Sequence, residues 1–122
     1  MAIIPIVRCS RIEASVNFYT KTLDFHRADD NELNEPAFIF LVRAGDALVL
    51  SSYGTGGFGQ SVVVMSEDVD TLFEKFRKRG LTPVKENSPV HQGPTDQTWA
   101  TREFYVDDPD GNTLAFTQSM PT

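Results

Sequence analysis

The feature that most constrains this chain is that it states one plan twice. Ile12, Val16 and Tyr19, a helical stripe, reappear as Val69, Phe73 and Phe76 at a constant offset of 57 residues. A turn glycine and a strand leucine, Gly45 and Leu48, reappear as Gly111 and Leu114 at an offset of 66. The nine-residue difference is assigned to the polar stretch before Trp99. Each half reads strand, helix and three further strands, and neither half alone can cover both faces of its own sheet. A chain of 122 residues has the length of one domain. The expectation is an α+β fold of two βαβββ modules in a single domain, 1–122, with module 1 at about 1–56 and module 2 at about 57–122.

In the first module, Ile3 to Cys9 reads as a strand, and Ser10 with Glu13 forms a capping-box pattern opening the first helix. Phe25 to Ala28 is a short strand, Asp29 to Glu35 is polar, and Ala37–Arg43 with Ala47–Ser52 flank a hairpin turn. Tyr53 to Gln60 is a glycine-rich loop. In the second module, Ser61–Met65 is a strand, and Val69, Leu72, Phe73 and Phe76 are the apolar face of a helix that Gly80 ends. Leu81–Lys85 is assigned as a strand and Glu86–Thr98 as a long loop. Thr101–Val106 and Asn112–Gln118 are strands joined through Asp107-Asp108-Pro109-Asp110-Gly111.

Charge and cysteine count exclude several functions. A net charge of −6 repels phosphate backbones, so nucleic acid is not an expected partner. Cys9 is the only cysteine, which rules out an internal disulfide and a cysteine zinc site. No apolar run has the length of a membrane span, and the start has no basic leader, so a cytoplasmic protein without membrane contact is expected. His26 and His91 have no acid or nucleophile beside them in sequence and read as surface histidines. Gly54-Thr55-Gly56-Gly57 is not followed by Lys-Ser/Thr and is not a phosphate loop.

The run Thr101-Arg102-Glu103-Phe104-Tyr105-Val106-Asp107-Asp108-Pro109-Asp110-Gly111-Asn112, in register with two βαβββ halves, resembles the vicinal oxygen chelate superfamily of glyoxalases, bleomycin resistance proteins and dioxygenases. Val16 to Phe25 is similar to its first-helix signature, with Asp24 where glycine is usual. Trp99 followed by Arg102-Glu103-Phe104 and the Asp-Pro-x-Gly-Asn turn is closest to the bleomycin resistance group. The resemblance implies a cup-shaped sheet, usually completed in a homodimer. It also implies four strand positions that carry metal ligands in the enzymes, here Ile4, Leu50, Ser61 and Ala115. None is an imidazole or carboxylate, so neither a metal nor any other cofactor is expected.

Strand alternation extends those positions into a pocket map. Ile4 brings Ile6 and Arg8; Leu50 brings Leu48 and Ser52; Ser61 brings Val63; Glu103 and Tyr105 turn inward on their strand. Trp99 either stacks on a planar ligand or caps the core, and Phe38 and Phe40 either form an opposite wall or pack in the core. Arg8 and Glu103, as charges placed inside, either pair with each other or structural groups, or Glu103 meets a cation on the ligand. Tyr53 and Phe58 are lid candidates. The expected function is a small-molecule-binding protein with no catalytic residues. It sequesters an aromatic or cationic compound as bleomycin resistance proteins do, and so confers antibiotic resistance. The alternative is a metal-dependent enzyme of glyoxalase or dioxygenase type.

Overall fold

The computed structural model describes residues 3–28, 38–53 and 59–121. These divide into two compact units, Met1–Gln60 with Asp108–Asn112, and Ser61–Asp107 with Thr113–Thr122. The polar segment Asp29–Glu35 and the loop residues 54–58, Phe58 among them, lie outside the described residues.

In the first unit four strands form a mixed sheet in the order β1-β4-β3-β2: β1 Ile6–Arg8, β2 His26–Arg27, β3 Phe38–Arg43 and β4 Asp46–Ser51. β1 runs parallel to β4, and the other pairs are antiparallel. β3 shows why the sheet is two-faced: Ile39 and Leu41 are buried while Phe38, Phe40 and Val42 are exposed. Register places Val7, Leu48 and Leu50 on the buried face with Ile39 and Leu41. The β3–β4 turn is Ala44-Gly45, with positive φ at both residues (45° and 91°), the backbone that matches strand twist in a two-residue hairpin. Helix α1, Ile12–Asn17, continues as a π-helical turn over Phe18–Thr22 and buries Tyr19 edge-on to Phe25, with ring centroids 5.6 Å apart.

The capping box expected at Ser10 does not form. The N-cap is Arg11 with no side-chain bond, while Ser10 donates its hydroxyl and its N–H to the two carboxylate oxygens of Asp110, at 2.6 and 3.0 Å. One carboxylate thus takes both Ser10 donors as charge-assisted bonds, whereas the box would leave the Ser10 hydroxyl as acceptor of a neutral backbone bond. The turn that carries Asp110 is itself a hydrogen-bond hub. Asp108 accepts the Tyr19 hydroxyl at 2.8 Å and the N–H groups of Asp110 and Asn112. Asn112 accepts from the backbone of Gly59 and Gln60 and donates to the Arg8 carbonyl. Burial, with Asp108 beside it, pushes the Tyr19 hydroxyl far above its ordinary pKa, so it stays a donor.

In the second unit the order is β5-β8-β7-β6: β5 Ser61–Met65, β6 Thr95–Asp96, β7 Thr101–Asp107 and β8 Thr113–Ser119. Helix α2, Val69–Lys78, is capped by Asp68 accepting the Thr71 N–H at 3.1 Å, and it buries Val69, Leu72, Phe73 and Phe76. Phe76 meets Phe116 edge-on at 5.2 Å, and Phe104 stacks on Phe116 at 5.0 Å. Arg102 ties three elements together, bonding Asp70 of α2 through two nitrogens and Asp96 of β6 through a third.

Leu81–Lys85 is not a strand, contrary to expectation. Gly80 (φ 108°) and Leu81 send their N–H groups back to Arg77 and Phe76, a Schellman ending. Pro83 then removes a ladder donor. The edge position on β7 goes to Thr95–Asp96, and the segment between contains a helical turn, α3, Pro89–Gln92. The extra residues of the second module therefore precede its second strand. No helix among the described residues is long and apolar enough to cross a membrane.

Replacing Asp110 with Ala should destabilise the fold by about 1–2 kcal/mol, since it removes the acceptor for two Ser10 donors at a helix start. The check is a shift of the urea midpoint with unchanged slope. An unchanged midpoint would mean that water replaces the carboxylate without cost.

Candidate functional site

The helices cover one face of each sheet and leave the other open, so register identifies the residues available to a ligand. On the first sheet Ile6, Val49 and Phe40 are level, as are Arg8, Ser51 and Phe38. Phe38 and Phe40 are 53% and 50% exposed, which rules out plain core packing within this chain. Arg8 shares their face, half-buried, with its backbone N–H held by Gln60 at 2.8 Å. Leu50 was expected on this face and is not there. It pairs with Val7 and Ile39 on the helix side and is fully buried, so the expected alternation along β4 is off by one residue. Ser52 lies beyond the end of the strand. The repeat contained the correct answer, because its offset of 66 sets Val49, not Leu50, opposite Ala115.

On the second sheet the expected parity holds. Ser61, Val63, Glu103 and Tyr105 all lie on the open face, with Val63 level with Ala115 and Tyr105. Val63 is 64% exposed. Glu103 is 5% exposed, yet among the described residues its carboxylate accepts only neutral donors: Thr101 Oγ1 at 2.6 Å, Trp99 Nε1 at 3.1 Å and the Tyr105 hydroxyl at 2.9 Å. Burial pushes the Glu103 carboxyl up, but the bonds from Thr101, Trp99 and Tyr105 outweigh it and hold the group below the ordinary range. The result is a shielded negative charge whose three hydrogen-bond donors carry no positive charge. Burial and the adjacent Glu103 raise the Tyr105 hydroxyl, which remains protonated and donating.

Trp99 is held at its ring N–H and is otherwise largely exposed. It sits at the tip of the β6–β7 hairpin, where Gln97 donates to the Thr101 carbonyl at 2.7 Å and Ala100 adopts φ 65°. A left-handed alanine costs on the order of 1 kcal/mol, a strain that persists only when its surroundings impose it. The indole N–H is fixed on Glu103 while the residue stays 60% exposed, so Trp99 does not cap the core.

His91 was read as a surface residue and is 6% exposed. Its Nδ1 lies 2.7 Å from Ser88 Oγ, its Nε2 lies 3.2 Å from Asp107 Oδ1, and its ring meets Tyr105 edge-on at 5.8 Å. Asp107 also accepts from Thr113 Oγ1 at 2.8 Å and pairs with Lys85 at 3.1 Å. Burial raises the Asp107 carboxyl, and the bonds from Thr113, His91 and Lys85 more than reverse that. The order of residues resembles a nucleophilic triad, but Ser88 is followed by Pro89, which has no N–H to offer an oxyanion. Ser88-Pro89 is also a helix-start signal, the one clue in the sequence to α3 and its buried histidine. His26 is exposed on β2, as expected.

Paired βαβββ units, each a four-stranded mixed sheet with a helix on one face, define the class of the fold. The chain belongs to the Glyoxalase/Bleomycin resistance protein/Dioxygenase superfamily, whose model matches residues 3–116. Among solved structures it is similar to a bleomycin-binding protein complexed with bleomycin (TM-score 0.77, 16% identity, 98% of each chain covered). It is also similar to a bleomycin resistance determinant encoded on the transposon Tn5 (TM-score 0.78, 15% identity, 98% of each chain). A third similar structure is TnmS3, an antibiotic binding protein from Streptomyces sp. CB03234 (TM-score 0.69, 22% identity, 98% of this chain and 97% of that one). No curated protein matches the sequence.

Metal chemistry occurs in this superfamily, and the residues here do not fit it. Ile4, Ser61 and Ala115 offer no strong donor, and correcting Leu50 to Val49 adds none. No group of three or more His, Cys, Asp or Glu residues placed to hold a metal occurs among the described residues.

Proposed function

We propose that this chain binds and sequesters a small planar aromatic cation, making and breaking no bonds. The observation that carries this reading is the Trp99–Glu103 pair: an exposed indole face fixed at its edge to a buried, ionised carboxylate with only neutral donors. A buried charge without a counter-ion is costly to keep, and a cation settling over the indole gains from both the ring and the carboxylate. Val63 of the same sheet face supplies apolar contact area, and Ser61 a polar group at its end. The structural relatives that bind bleomycin and another antibiotic support an antibiotic as the natural ligand. The open face of the first sheet, with Phe38, Phe40 and Arg8, is proposed as a ligand-contacting surface in its own right.

Exposed Ile6, Phe38, Phe40 and Val42 on that first sheet also support a homodimer, because they form an apolar surface that a lone chain leaves in water. Sedimentation at micromolar concentration should give twice the 13.6 kDa chain mass. A single-chain mass would overturn the dimer.

The ligand test is calorimetric titration with ethidium, a planar aromatic cation, against its uncharged parent phenanthridine. Ethidium should saturate one kind of site, and Trp99→Ala should weaken it by roughly 1–3 kcal/mol while the fold survives. Glu103→Gln preserves an acceptor for Trp99 and Thr101 but removes the charge. It should weaken ethidium and leave phenanthridine nearly unchanged. Equal losses for the two dyes in the Gln variant, or ethidium binding untouched by Trp99→Ala, would contradict the reading.

A further inference from the structure

We propose that His91 is a positioning residue for the ligand platform, setting the orientation of Trp99 without touching the ligand. The inference rests on the platform reading only for its affinity arm. A continuous chain of contacts carries it. His91 is anchored on one side to Ser88 at 2.7 Å and on the other to Asp107 at 3.2 Å. Its ring stands edge-on to Tyr105. Tyr105 donates to Glu103 Oε1 at 2.9 Å, and the other oxygen of that carboxylate holds Trp99 Nε1 at 3.1 Å. The chain therefore runs through four hydrogen bonds and one edge-on ring contact, with centroids 5.8 Å apart.

The anchor is built for rigidity. Asp107 is fixed independently by Thr113 of β8 and by Lys85, so His91 docks against a carboxylate that is already held. Ser88 is the N-cap of α3, yet its hydroxyl makes no cap bond to the helix and goes to the imidazole instead. Half of the brace comes from the segment between α2 and β6, and half from the strands β7 and β8. The repeat offset grows from 57 to 66 between α2 and the last hairpin, and Lys85, Ser88 and His91 all lie in the segment between α2 and β6 where chain is added. Its packing on β7 falls at the Tyr105–Asp107 end of the open face, while Trp99 stands beyond the Thr101 end of the same strand. Tyr105 and Glu103 span the distance between.

His91→Ala removes the ring that Tyr105 packs against and both anchoring bonds. Tyr105 then gains ring freedom, its bond to Glu103 loosens, and the indole loses its fixed orientation. Trp99 is the sole tryptophan, so its emission and its quenching by acrylamide report this in the ligand-free protein. The expected result is greater acrylamide quenching, a shifted emission maximum and an ethidium affinity roughly three- to tenfold weaker, the size of coupling carried through packed neighbours. Ser88→Ala, which deletes one bond and little volume, should move the same readouts in the same direction by less. Tyr105→Phe keeps the ring contact with His91 but cuts the bond to Glu103, and should shift Trp99 emission with little loss of thermal stability.

A His91→Ala protein that melts earlier but keeps wild-type Trp99 emission, quenching and ethidium affinity would overturn the proposal, leaving His91 as a brace for α3 alone. If that variant does not fold, an unchanged Trp99 emission in Tyr105→Phe overturns it equally. The emission arm uses no ligand. Failure of ethidium to bind the wild-type protein would therefore count against the aromatic-cation reading and leave the emission result to decide the role of His91.

Discussion

Glu103 is a carboxylate taken out of water, kept ionised, and given only neutral partners. The arrangement on the open face of the second sheet depends on it. Thr101 and Tyr105 flank it on its own strand face and reach it because period-two alternation turns residues 101, 103 and 105 the same way. Trp99 reaches it from the hairpin tip, across a left-handed Ala100. Three hydroxyl or indole donors satisfy the hydrogen bonds of a carboxylate but do not neutralise it. What remains unmet is its charge.

The same alternation explains why this chain has open apolar faces at all. Each sheet has one helix-bearing side, and the aromatic stack of Phe73, Phe76, Phe104 and Phe116 fills that side of the second unit. The side chains between those residues point the other way. Where they are apolar, as at Phe38, Phe40 and Val63, they remain in water unless a ligand or a second chain covers them. Of the four positions that the resemblance to metal enzymes picks out, three carry apolar side chains and the fourth, Ser61, a hydroxyl, and none is a strong metal donor.

Much of this was legible in the sequence, and the misses share a cause. β5, α2 and both hairpins follow from local pattern: β5 matches its expected span, and α2 buries the four residues its periodicity selects. The inward turn of Glu103 and Tyr105 was legible too, because β7 is long and regular. Long-range competition was not. Ser10 has a good local cap partner in Glu13, but Asp110, a hundred residues later in the chain, offers a charged acceptor at 2.6 Å. Leu81–Lys85 alternates like a strand, but β7 has one free edge, and Arg102 holds Asp96 there. His91 looked solvated because Asp107 and Tyr105, which bury it, are far away in sequence. Leu50 is a miss of another kind: alignment to the superfamily across a loop points to it, whereas the repeat offset of 66 points to Val49.

The central claim of the proposal is that Glu103 is ionised, has no cationic partner among the described residues, and gains one when a cationic ligand binds. Its most direct test is a carbon-13 NMR titration of the Glu103 carboxyl, with and without ethidium. A folded-state pKa below the unfolded one makes the carboxylate's stabilising contribution fully present above the unfolded value and lost as pH falls through the folded one. The account predicts a ligand-free pKa below the ordinary glutamate value of about 4.3 and a further drop when ethidium binds, with affinity lost only as pH falls through the lowered value. A ligand-free pKa at or above that ordinary value, or a titration that ethidium leaves unmoved, would contradict it.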